Sequence, residues 1–154
     1  MPANWKPERL LDGPNFRGPQ LSRWMLTVCG AWLVTLGFYF AFLRPALLPE
    51  DLRFMASSLQ TLREAVPGLE EWLRKVLTVL GGFMTSVGVL VVFVAQEVLP
   101  LRLKGASWVI ALSGVLSVVL MSGTNFALHS DFQWLLLIPA VLWSIALLFY
   151  VRGR

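Results

Sequence analysis

Residues 76–95 read VLTVLGGFMTSVGVLVVFVA, twenty in a row without a Lys, Arg, Asp, Glu or His. A helix rises about 1.5 Å per residue, so such a stretch crosses a hydrocarbon core of about 30 Å. Three more stretches share the property: Trp24–Leu43, Gly105–Leu128 and Trp134–Val151. Lipid-exposed strands would leave backbone groups unpaired, so the four are read as helices. The expected fold is all-α: an integral membrane four-helix bundle.

Composition agrees with these four segments. Of 154 residues, 56% are hydrophobic and 14% charged, and the mean hydropathy is +0.68. Soluble domains are about 45–50% apolar and about 25% charged. Disorder needs low hydrophobicity and high charge, so it is excluded for most of the chain. A single cysteine, Cys29, excludes an internal disulfide and a Cys-based metal cage. A single histidine, His129, excludes bis-His haem ligation and a multi-His metal site. No H-E-x-x-H, C-x-x-C, G-x-S-x-G or phosphate loop is present. The residues identify no cofactor, no catalytic set and no metal motif.

Residues 1–23 carry Pro2, Pro7, Pro14 and Pro19 with Gly13 and Gly18, and are predicted to be a flexible cytoplasmic tail. The stretch that follows is longer than a signal-peptide core of about 7–15 residues, and Arg44-Pro45-Ala46 is no cleavage site. It is read as a retained first span. Residues 152–154 form the other cytoplasmic end. Trp24, Trp72, Trp108 and Trp134 lie near span starts, where a ring at headgroup level keeps its N–H wet. Trp32 and Trp143 lie deeper and are read as packing residues, as is Cys29.

Orientation rests on the cations. The tail, the loop at 96–104 and the C-terminal end hold eight Lys or Arg; the opposite side holds five, all between Arg44 and Lys75. Lys and Arg gather on the cytoplasmic side, so both termini are predicted inside. The cationic face suits topology and anionic lipid rather than nucleic acid.

The connection from Arg44 to Lys75 has its own structure. Pro49-Glu50-Asp51 suits a helix start. Leu52, Met55, Leu59, Leu62 and Val66 then recur at helical spacing, until Pro67-Gly68 breaks the run. An amphipathic extracytoplasmic helix over about residues 50–65 is expected, as a lid or as a docking surface.

Leu48-Pro49-Glu50-Asp51-Leu52-Arg53-Phe54-Met55, Ala65-Val66-Pro67-Gly68-Leu69, and Gly81-Gly82-Phe83-Met84 with Gly88 resemble a pattern in uncharacterised small bacterial four-span inner-membrane proteins. The likeness covers residues 48–92. It departs where such proteins often carry Asp-Arg before the paired glycine; here the chain reads Leu77-Thr78-Val79-Leu80. The resemblance implies a bacterial inner-membrane setting and no activity.

Within the spans, small residues stand in for charge. Gly81/Thr85, Gly82/Ser86, Ser113/Ser117, Gly123/Ala127 and Gly37/Ala41 are spaced to let backbones approach. Gly81, Gly82, Ser86, Ser113, Ser117 and Gly123 are therefore the expected helix-packing residues, with spans two and three as the tight centre. Intramembrane charges, usual in ion-coupled transport, are missing. Glu97 is expected at the interface near Arg102 and Lys104. Asn125, His129 and Asp131, with Tyr39, form a candidate polar rim on the outer side.

These features point first to a non-enzymatic accessory or scaffold subunit, packed against a membrane partner or another copy. The alternative is a carrier or sensor of a lipophilic ligand, a lipid, quinone or pigment, held in the bundle under an outer lid helix. An interfacial enzyme with His129 as base and Asp131 or Glu50 as its partner is a third reading.

Overall fold

A computed structural model describes residues 17–153. Helix α1 (Arg17–Phe38) continues into a π-helical turn, Tyr39–Leu43. Two short helices follow, α2 (Pro49–Phe54) and α3 (Leu59–Ala65). Helix α4 (Leu69–Phe93) runs through a π turn at Val94–Val98 and a tight turn at Leu99–Leu101. Helices α5 (Ala106–Gly114) and α6 (Leu120–Ala127) are joined by a π turn at Val115–Val119, and α7 (Gln133–Arg152) closes the chain. Four continuous helical stretches are long and apolar enough to cross a membrane: Gln20–Leu43, Leu69–Leu101, Ala106–Ala127 and Gln133–Arg152. They are spans one to four. The protein is an all-α membrane bundle. Its distal end carries residues 44–68 and 128–132; its terminal end carries Arg17 and Gly153.

Three boundaries differ from expectation. Residues 17–23 belong to α1 rather than to a tail, because proline is compatible with the first turn of a helix; residues 1–16 lie outside the described residues. Span two begins at Leu69, and its 33 residues reach about 50 Å, well past the core thickness. Glu70, Glu71, Arg74 and Lys75 fall in its first two turns, ahead of the uncharged stretch. The single helix expected over 50–65 is two helices. Ala56 adopts a left-handed φ of 49°, and Ser58 caps α3 by accepting the Thr61 N–H at 3.1 Å. Serines at such a point offer the backbone an alternative to a continuing helix. Of the expected apolar face, Leu52, Leu59 and Leu62 are half-buried, while Met55 and Val66 are exposed.

Span one is central. It packs on span two along one side and on span four along the other, and span three packs on span four. The expected tight centre of spans two and three is thus replaced by spans one and two. The reason is a matched pair of glycines, Gly30 and Gly37 against Gly88 and Gly81. A Cβ at Gly30 would lie 2.8 Å from the Gly88 carbonyl oxygen, and one at Gly88 would lie 2.6 Å from that of Gly30. Gly37 and Gly81 oppose each other in the same way. Equal spacing in the two antiparallel helices brings both pairs into register, so the backbones touch.

Gly82 and Gly123 would place an added Cβ in open space, and Ser86 is exposed. These three face away from the helix contacts, against expectation, because each lies on the opposite side of its helix from the packed row. Ser113 and Ser117 are half-buried, and Ser117 Oγ donates back to the Ser113 carbonyl at 2.6 Å.

The core gathers Leu26, Cys29, Leu33, Val91, Ala95, Leu99, Ile110, Val118, Trp143 and Ala146. Trp143 lies against Gly114 and donates its indole N–H to the Ile110 carbonyl at 3.0 Å. Ser22 Oγ donates to the Ala146 carbonyl at 2.8 Å, and Ser122 Oγ lies 2.7 Å from the Leu136 carbonyl, just before Pro139 interrupts the α7 ladder. Such bonds replace the hydrophobic drive that lipid removes. At the terminal end Arg23 Nη2 donates to Gln96 Oε1 at 3.0 Å, and Gln96 Nε2 donates to Thr27 Oγ1 at 2.6 Å. Glu97 is exposed, and Arg102 donates to the Gly153 carbonyl rather than pairing with it. Trp24, Trp72, Trp108 and Trp134 are all at least 60% exposed, two near each end of the bundle.

Candidate functional site

The π turn at the distal end of span one closes with the Arg44 N–H donating to the Tyr39 carbonyl, five residues back, at 2.8 Å. Such a turn accommodates one more residue than an ordinary helical turn and often marks a site. Here it places Tyr39 and Phe40 on the wall of a cleft of about 430 Å³. Span one contributes Trp32, Thr35, Leu36, Tyr39 and Phe40; span three contributes Met121 and Asn125; span four contributes Leu135 and Leu136. Arg44, Leu48, Glu50, Ser130 and Phe132 line it from the distal connections. Trp32 to Phe40 spans about 12 Å of helix, so the cleft penetrates well into the apolar zone. Its size lies within the range of about 300–1,000 Å³ typical of small-molecule sites.

Helix α2 lies at the mouth, held by polar bonds. Glu50 Oε2 accepts from Ser130 Oγ at 3.0 Å and from the Asp131 N–H at 2.9 Å. Arg53 Nη2 reaches both Asp131 oxygens, at 2.9 and 2.8 Å. The Asp131 carboxylate, by hydrogen bond and charge, holds the Arg53 guanidinium above its ordinary value. Asp51 Oδ2 caps α2 by accepting the Leu48 N–H at 2.8 Å, and it also takes the Arg44 guanidinium at 3.1 Å. Arg44 is additionally seated over the Phe40 ring, 5.3 Å from its centroid. On the other side of α2 lies a second cavity of about 440 Å³, lined by Leu47, Phe54, Leu69, Leu73, Leu77 and Leu128 among others, with Arg44 and Glu50 common to both. No residue of α2 is fully buried.

Of the four expected rim residues, Tyr39 and Asn125 line the cleft. Asn125 satisfies its amide by donating Nδ2 to the Met121 carbonyl at 2.9 Å. His129 and Asp131 do not line it. His129 is exposed in a left-handed turn at φ 51°, and Asp131 is engaged by Arg53 outside the mouth. Among the described residues, no three His, Cys, Asp or Glu side chains stand close enough to hold a metal ion. Sequence reasoning missed Trp32, Arg44 and Ser130 as lining residues. It also missed the paired Gly30/Gly37 and Gly81/Gly88 spacing, which was visible as one glycine every seven residues in both helices.

No family model, curated protein or solved structure matches this chain.

Proposed function

We propose that this membrane protein holds a lipophilic ligand in the distal cleft, with α2 as the lid. The supporting observation is the cleft itself: an apolar trough between spans one, three and four that ends in a polar mouth of Arg44, Glu50, Ser130 and Asn125. A lipid or quinone has that division of chemistry, with its chain in the trough and its head at the mouth. Eight of the 13 Lys and Arg residues belong by sequence to the terminal end, which supports a cytoplasmic terminal end and a cleft in the extracytoplasmic leaflet. A bacterial inner membrane is the setting that the sequence resemblance supports.

The accessory-subunit reading has its own support. Spans two and three leave between them a groove of about 300 Å³, lined by Val87, Leu90 and Val94 on one side and Val109 and Ser113 on the other. Gly82 and Ser86 also face outward on span two. Native mass spectrometry after gentle extraction separates the two. A mass increment of a few hundred daltons that disappears in a cleft-filling Met121→Trp variant supports the ligand reading. A stoichiometric second polypeptide with no bound lipophile overturns it in favour of a subunit role.

A further inference from the structure

We propose that the cleft selects amphiphiles with a cationic head, an amine or quaternary ammonium, over anionic ones; this rests on the ligand-holding reading above. The first ground is charge. Arg44 is the one cation among the lining residues, and it is already committed: Asp51 holds it at 3.1 Å, the Pro45 carbonyl accepts from it at 3.2 Å, and Phe40 lies under it. Its side chain is 13% exposed. Glu50 is held differently. Both of its hydrogen bonds come from neutral donors, Ser130 Oγ and the Asp131 N–H, and both fall on Oε2. Arg53 lies near enough to feel its charge but is bonded to Asp131. Arg44 set against Glu50 and Asp51 leaves one net negative charge at the mouth, and the neutralised Arg53–Asp131 pair outside it changes nothing in that balance. Of the other distal cations, Arg63 and Lys75 are paired with Glu70 and Glu71, and Arg74, on the first turns of α4, acts on Glu70 rather than lining the cleft. A phosphate or carboxylate head would therefore meet Glu50 and would have to take Arg44 from Asp51.

The second ground is the wall. Trp32, Tyr39 and Phe132 contribute aromatic surface to the same cleft as Glu50. Aromatic faces attract cations through the ring quadrupole, most strongly where water is excluded, and a quaternary ammonium needs no hydrogen bond to profit from it. A carboxylate at the mouth with aromatic walls beneath is complementary to a cation carrying a hydrocarbon chain. The same surroundings oppose an anion on both counts.

The test uses the full chain in maltoside micelles, whose heads are uncharged. Three chain-matched probes compete in equal amounts: a long-chain alkyl trimethylammonium, the corresponding alcohol and the corresponding sulfate. Bound species are counted by native mass spectrometry. The expected result is a preference of about tenfold for the ammonium over the sulfate. In Glu50→Gln, which keeps an acceptor for Ser130 and Asp131, the preference should fall below about threefold while alcohol binding is unchanged. Wild-type selectivity alone carries the test if that variant does not fold. Equal binding of all three probes overturns the cationic-head proposal and leaves the ligand reading intact. Preferred binding of the sulfate, lost in Arg44→Gln, overturns it in favour of an anionic head. Binding of every probe at no more than the level of Met121→Trp removes the ligand reading itself.

Discussion

Gly81 and Gly82 are neighbours with opposite duties. A Cβ at Gly81 would run into the Gly37 carbonyl oxygen and lie 2.6 Å from the Ala41 nitrogen; at Gly82 it would meet nothing within 4 Å. Backbone cannot move aside as a flexible side chain can, so Gly81→Ala should cost about 1–3 kcal/mol, the usual range for overpacking. Gly82→Ala should be neutral within about 0.5 kcal/mol, as at other uncrowded outward sites. Equilibrium unfolding in mixed micelles measures both, and equal effects from the two would remove the glycine seam as the basis of helix pairing. Ser122 offers a second test. It bridges span three to the Leu136 carbonyl of span four, so Ser122→Ala should cost about 0.6 kcal/mol, the average for interhelical bonds in a bilayer.

At the scale of elements, α2 is fastened rather than packed. With no fully buried residue and cavities on two sides, its position depends on Glu50 and Arg53 reaching the 128–132 turn. The Arg53–Asp131 pair is more than 60% exposed on both sides, so salt should screen it. Raised ionic strength should speed deuterium uptake over residues 49–57, and Asp131→Ala should do so already at low salt. An uptake indifferent to both would mean that packing, not charge, positions the helix. Arg53 contributes no pH dependence near neutrality. Its pKa is raised in the fold, so its share of stability is complete below the ordinary guanidinium value and fades only as pH climbs beyond it. The break at 55–58 was within reach of the sequence, since Ser57-Ser58 is a capping pair, but apolar spacing that continued past it favoured one long helix.

For the whole molecule, the even number of spans puts both ends of the described chain on one face. Reporter fusions at the C-terminus should be active only in the cytoplasm, and fusions in the 55–58 break only outside; the reverse would invert the cleft to the inner leaflet. The spans and the return of both described ends to one face were legible, because length and apolarity are local properties that any span must have. The contact order was not. In water a helix declares its inner face by where polar residues stop. In lipid every face is apolar, so the seven-residue spacing of Gly81 and Gly88 is readable but the helix it meets is not, and the partner helix decides which face packs. The sequence by itself thus determined that the chain is a four-span membrane helix bundle with a structured connection. Only the tertiary structure decided that span one is the hub, that spans two and three stand apart, and that Trp32, Tyr39, Arg44, Glu50 and Asn125, distant in the chain, line one cleft. Those outcomes depend on where backbones can approach and which polar groups find each other across helices, and neither is a property of any segment alone.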